Sequence, residues 1–68
     1  MSLDADQHNV LYAAWFSPFT TRSDFARANV EEIGILACLG LITLKQGEDV
    51  WGREWRVTAK GLQILEDN

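Results

Sequence analysis

Cysteine, histidine, proline and methionine each occur once in this sequence, and no apolar run is long enough to span a bilayer. The lone Cys38 has no partner for an internal disulfide, and with His8 as the only imidazole no familiar zinc spacing can be assembled. The longest apolar stretch is bracketed by Glu31-Glu32 and Lys45, well short of the ~20 residues that cross a membrane. The N-terminus carries Asp4 and Asp6 in place of the basic segment and apolar run that open a secretory signal. Catalytic constellations are missing too. Glu31-Glu32 and Glu48-Asp49 are neighbours without a histidine, His8 and Cys38 fall on different elements, and no Gly-rich phosphate loop of the right spacing occurs. These absences lead to the expectation of a soluble, cytoplasmic protein that is not an enzyme and holds no metal or cofactor.

What is present is enough for one small core. The 68 residues are 47% hydrophobic and 24% charged, which suits a globular chain and is too apolar for a disordered one. Residues 1–68 are read as a single domain. Each large apolar side chain fully buried contributes roughly 1.5–3 kcal/mol, so a dozen or so must carry the fold. A chain of this size is only marginally stable alone, and self-association is a common remedy, so a homodimer is expected.

The net charge of −4 argues against a polyanionic partner on its face, but the charges are unevenly placed. All six basic residues lie in two segments: Arg22 and Arg27, then Lys45, Arg53, Arg56 and Lys60. Each segment is net +1, and the acidic excess comes from Asp4, Asp6, Glu31, Glu32, Glu66 and Asp67. The pattern suggests one weakly basic face.

Apolar spacing predicts a helix over 6–16, with Leu11, Ala14 and Trp15 on one face, Val10 beside them, and the start at Asp6 or earlier. Ser17-Pro18 ends it, because proline has no N–H and biases its predecessor away from helix. His8, near the helix start, is read as an exposed polar residue. Thr21 and Asp24 resemble a capping box ahead of a second helical segment. There, Ala26, Val30, Ile33 and Ala37 would share a face, with Phe25, Leu36 and Gly40 on its flank. Asn29 interrupts that face. Either one helix runs from Thr21 to Leu39, or the helix ends near Ala28 and Asn29 caps another with Glu31 and Glu32 in its first turn; the break is preferred. Gly40 suits the position just past a helix C-terminus. The alternating runs "LITLKQ" and "VWGREWRVT" around "GED" predict a β-hairpin, with Ile42 and Leu44 on one face of the first strand, Trp55 and Val57 on one face of the second, and Gly52 at a bulge or at the edge of the tip. Thr58 is placed to cap a final helix whose apolar positions are Leu62 and Leu65, with Ile64 nearby.

The expected fold class is therefore α+β, mostly α: a three-helix core, a two-stranded β-hairpin and a short C-terminal helix. Gly40-Leu41-Ile42 and Trp55-Arg56-Val57-Thr58-Ala59-Lys60-Gly61 resemble the second half of winged helix-turn-helix proteins, small bacterial or phage regulators among them. The resemblance covers roughly residues 20–65. It implies a winged helix in which the hairpin is the wing, and a DNA-binding transcriptional regulator or mobile-element protein, dimeric, with double-stranded DNA as its partner. Two departures stand out. Ala26 precedes Gly40 by fourteen residues where about twenty are usual, so the recognition helix is shortened or merged with its predecessor. Its outward positions, Glu31, Ile35 and Cys38 with Gly34 beside them, are acidic and apolar where a major-groove helix offers basic and amide side chains.

The resemblance implies DNA contact by Arg22 and Arg27 near the second helix and by Lys45, Arg53 and Arg56 on the wing. For each arginine or lysine taken singly, a solvated surface charge is the simpler reading. The competing function is a protein-binding winged helix, an adaptor or inhibitor that uses Ile35, Cys38 and Trp51 as its interface. Trp51 either contacts such a partner or packs on its own strand, and Trp55 is read as a filler beneath the wing.

Overall fold

The computed structural model describes residues 3–67. The chain is α+β and about half helical: α1 (Ala5–Phe16), β1 (Phe19–Thr20), α2 (Asp24–Ala28), α3 (Val30–Cys38), β2 (Ile42–Gly47), β3 (Val50–Val57) and α4 (Ala59–Glu66). The strands form an antiparallel sheet in the order β1-β3-β2. Among the described residues, no helix is long and apolar enough to cross a membrane.

The start of α1 is a capping box. Asp4 Oδ1 accepts from Gln7 N at 2.8 Å, and Gln7 Oε1 accepts from Asp4 N at 3.3 Å. Ser17 closes the helix through its N–H to Ala13 O, and Pro18 turns the chain into β1. Val10, Leu11 and Ala14 are buried as their spacing predicts, but Trp15 is 50% exposed. It sits on the rim of the buried stripe, where an indole covers apolar neighbours with one edge and meets water with the other.

Phe19 and Thr20 pair with Trp55 and Glu54, so β1 adds a third strand to the expected hairpin. The following turn is held by Ser23, not Thr21. Ser23 Oγ accepts from Ala26 N at 3.1 Å while donating to Thr20 O at 2.8 Å. Thr21 stands two residues before the N-cap position and continues the extended chain, its N–H donating to Arg53 O at 2.7 Å and extending the β1–β3 ladder by one bond. The break at Asn29 is present. Its Nδ2 donates to Phe25 O at 2.9 Å, closing α2, and it makes no side-chain bond to α3. The resulting change of axis removes Val30 from the shared apolar face expected of one long helix. Val30 is 69% exposed, and Ile33 and Leu36 point inward instead.

At the end of α3, Gly40 takes φ +76, a left-handed conformation that costs glycine little. Gly40 N donates to Ala37 O and Leu41 N to Leu36 O, both at 3.0 Å, the paired bonds of a Schellman cap. This turn drives Leu41 into the core, where it is fully buried with Leu11 and Leu36. Among the described residues the nine buried hydrophobics come from α1, β1, α2, α3, the turn at Leu41 and the start of β2, with Trp55, Val57, Ile64 and Leu65 packed against them.

The final helix locks onto this corner. Thr58 N donates to Leu41 O at 2.9 Å, and Thr58 Oγ1 accepts from Gly61 N at 3.1 Å as the N-cap. The same hydroxyl lies 2.7 Å from Gly40 O and 3.1 Å from Leu41 O, which share its proton. Lys60 Nζ reaches Leu39 O at 3.3 Å, placing a cation at the C-terminus of α3. Gly61 is where α4 presses in. A Cβ there would overlap Leu41 O and lie 2.8 Å from Val57 Cγ2.

Two alanine substitutions should therefore move stability in opposite directions. Gly61→Ala forces α4 off the Leu41 corner and should cost ~1–3 kcal/mol. Gly34→Ala, in an exposed part of α3 with nothing near the added methyl, should gain ~0.5–1 kcal/mol. Urea unfolding of the two variants beside the parent measures both, and equal signs would contradict the packing described.

Candidate nucleic-acid interface

The candidate surface is built from α3, the β2–β3 hairpin and the turn before α2. Along α3 the outward residues are Val30, Glu31, Gly34, Ile35 and Cys38, all exposed. The helix has nine residues and is separate from α2. Glu31 and Glu32 lie in its first turn, where the helix dipole favours carboxylates, and its last turn carries no basic residue. Ile35 is 39% exposed and Cys38 is a free thiol on the same face.

The hairpin is less regular than its alternating sequence suggests. Ile42 pairs with Val57 and Thr43 with Arg56, but Lys45 then pairs with Trp51 and Gly47 with Val50. From Thr43 to Lys45 one strand advances two residues while the other advances five, so β3 bulges over Gly52–Trp55. The side chain of Gln46 fills the bulge. Its Nε2 donates at 3.0 Å both to Leu44 O on its own strand and to Glu54 O across the hairpin. Gly52 makes room for it, since a Cβ there would stand 2.8 Å from Gln46 Cγ. Gly52 thus marks a bulge. The tip, at Glu48-Asp49, turns through the positive φ of Asp49.

The candidate basic residues divide by what they touch. Arg56 holds Glu54 at 2.9 Å between side chains 53% and 38% exposed, a pair worth at most ~1 kcal/mol in such solvent contact. Arg27 stands 3.9 Å from Asp24, the arginine largely and the aspartate fully exposed. Arg22, Lys45 and Arg53 have no carboxylate partner among the described residues. The bond from Thr21 N to Arg53 O joins the backbone beside Arg22 to the bulged strand, so Arg22 and Arg53 belong to one edge of the molecule. Lys45 lies directly opposite Trp51, on the outer half of the hairpin. Trp51 is 68% exposed and does not pack down on its own strand, and Trp55, half-buried, fills the space beneath the sheet.

Two features had no clear signal in the sequence. The first is β1, because two extended residues after a proline give no period to read. Its trace was Phe19, which the fold uses in an edge-on contact with Phe25 at 4.8 Å. The second is a groove of about 300 Å³ between α1 and α4, lined by His8, Tyr12, Trp15, Leu62, Leu65 and Glu66. His8 is half-buried there, not fully exposed. Among the described residues no cluster of His, Cys, Asp and Glu is arranged to hold a metal ion.

Gln46→Ala should remove both bonds across the bulge, each worth about 1 kcal/mol. Amide exchange at residues 45–51 should quicken by about tenfold or more while Leu36 and Leu41 keep their protection. Unchanged exchange in the hairpin would show that Gln46 does not hold it. No protein-family model, no curated protein and no solved structure matches this chain.

Proposed function

We propose that this chain is a small winged helix-turn-helix DNA-binding protein, a transcriptional regulator or mobile-element protein, that acts as a dimer. The observation that carries the reading is the order of elements together with what they leave uncovered. A strand between the first two helices joins the returning strand of a hairpin. The third helix keeps one face open beside that hairpin, and Arg22, Lys45 and Arg53 stand free of carboxylates among the described residues. In this reading α3 lies against a groove of the duplex, and the hairpin is a wing along the backbone. The three cations neutralise phosphates, and Arg27 and Arg56 add to them by exchanging weak carboxylate contacts for phosphate. The contacts would position the protein more than they specify sequence, because Glu31, Ile35 and Cys38 offer little to base edges.

The same face of α3 favours a second reading, a protein-binding winged helix that serves as an adaptor or inhibitor. Val30, Ile35 and Cys38 form an apolar strip without a cation, and Trp51 projects from the hairpin. Aromatic and aliphatic groups of this kind anchor protein interfaces.

Titration of the purified protein against a labelled random-sequence duplex at low and raised salt separates the two. The DNA reading expects salt-sensitive binding, and Arg22→Ala, Lys45→Ala and Arg53→Ala combined should reduce the slope of log K against log salt by about 2.7 per chain. Absence of binding by the folded protein at low salt would sink this reading and leave the protein-binding one.

A further inference from the structure

The groove between α1 and α4 sets aromatic walls beside a carboxylate that nothing answers. His8, Tyr12 and Trp15 recur at helical spacing along α1 and share with Leu62, Leu65 and Glu66 of α4 a recess of about 300 Å³. Phe16 stacks on Tyr12 with centroids 5.7 Å apart, which covers one face of the phenol ring and leaves the other. Leu62 and Leu65 supply an apolar wall, and Trp15 stands half-exposed at the rim. Glu66 has no ion-pair partner among the described residues. It lies in the last turn of α4, the negative end of the helix dipole, and that turn carries no basic residue.

These surroundings select the charge of an occupant. Residues 1–21 and 61–68 contain no Lys or Arg, and Asp4 and Asp6 offset the positive dipole end at the start of α1. Arg56 borders Trp15 in a second recess with Pro18 and Val57, where Glu54 at 2.9 Å already holds its guanidinium. Indole and phenol rings attract a cation through their electron-rich faces, and Glu66 supplies the counter-charge. An anion would meet a carboxylate and the negative end of a helix. Size selects a small molecule. The recess stands at the lower end of the ~300–1,000 Å³ of small-ligand sites. Tyr12, Trp15 and Phe16 at their exposures present roughly 260–430 Å², well short of the ~800 Å² per partner of a protein interface.

We infer that the α1–α4 groove binds a small organic cation, an ammonium group on an apolar or aromatic body. The cationic head sits among Tyr12, Trp15 and Glu66, and the body lies against Leu62 and Leu65. The inference goes beyond the proposed function and is tested without DNA. Benzyltrimethylammonium is the probe, with benzyl alcohol and phenylacetate as its neutral and anionic counterparts. Binding is followed by proton–nitrogen correlation NMR of the full chain at about pH 7.5, above the ordinary range of imidazole protonation. The cation should saturably shift the Trp15 indole N–H and the amides of residues 8–16 and 62–66, with a dissociation constant of ~1 mM or below. It should bind at least about fivefold more tightly than either counterpart, and the indole N–H of Trp51 on the hairpin should not move. Trp15→Leu and Glu66→Gln should each weaken binding by about threefold or more. Glu66 is exposed at the helix end, so its variant keeps the test valid if Trp15→Leu does not fold. Equal binding of benzyl alcohol, no saturation by about 20 mM cation, or shifts centred on Trp51 would overturn the inference. Tighter binding of a blocked lysine tripeptide on the same amides would overturn it too, since the groove would then take a side chain of a protein partner.

Discussion

The first turn of α4 rests on the Leu41 carbonyl at a distance that admits no side-chain atom, and the remaining packing depends on that approach. Leu41 is where three constraints meet. Its N–H closes the Schellman cap of α3, its carbonyl receives Thr58, and its side chain is fully enclosed by the core. Gly61 lets α4 come down on this corner, while Thr58 caps α4 and ties the end of β3 to the end of α3. A chain this small cannot dilute an error at such a point over many other contacts. The polar bonds at the corner are individually modest, about 1 kcal/mol each, but they set the geometry in which Leu11, Leu36 and Val57 exclude water.

Local chemistry explains why much of this was legible beforehand. Pro18, Asn29, Gly40 and Thr58 each act through a short-range preference, a missing donor, a side-chain bond or a tolerated φ, and each ended or began an element where expected. The hairpin followed from alternation, and Val10, Leu11 and Ala14 from helical spacing. What was not legible depended on contacts distant in sequence. Thr21 carries a cap's chemistry, yet the ladder with Arg53 keeps its backbone extended, the helix starts at Asp24, and the cap falls to Ser23. Val30 fits an apolar face only if the helix is continuous, and the Asn29 break rotates it to solvent. The strand β1 exists because β3 offers it a partner, a fact that Phe19 and Thr20 do not contain.

The candidate site shows a similar division. Exposure of Glu31, Ile35 and Cys38 followed from the helix period. Which cations stand free did not, although both ion pairs are local, Arg27 three residues after Asp24 on α2 and Arg56 two after Glu54 on β3, because a surface pair is set by side-chain rotamers. Lys60, in the first turn of α4, reaches the Leu39 carbonyl and is thereby tied to the fold. The irregular register of the hairpin, with Gln46 standing in for missing strand bonds, likewise depends on a side chain bridging two backbones.

The groove between α1 and α4 has a consequence beyond packing. By bringing His8 and Glu66 to one lining it draws the start of α1 toward the end of α4, and with them Asp4, Asp6 and Asp67. Arg22, Lys45 and Arg53 belong to the hairpin and the turn that pairs with it. The hairpin balances Lys45, Arg53 and Arg56 against Glu48, Asp49 and Glu54, so its own charges cancel while four carboxylates gather at this seam. Charge is felt over ~8 Å at physiological salt, and a cation in solution would meet the field of the seam before that of any other part of the chain.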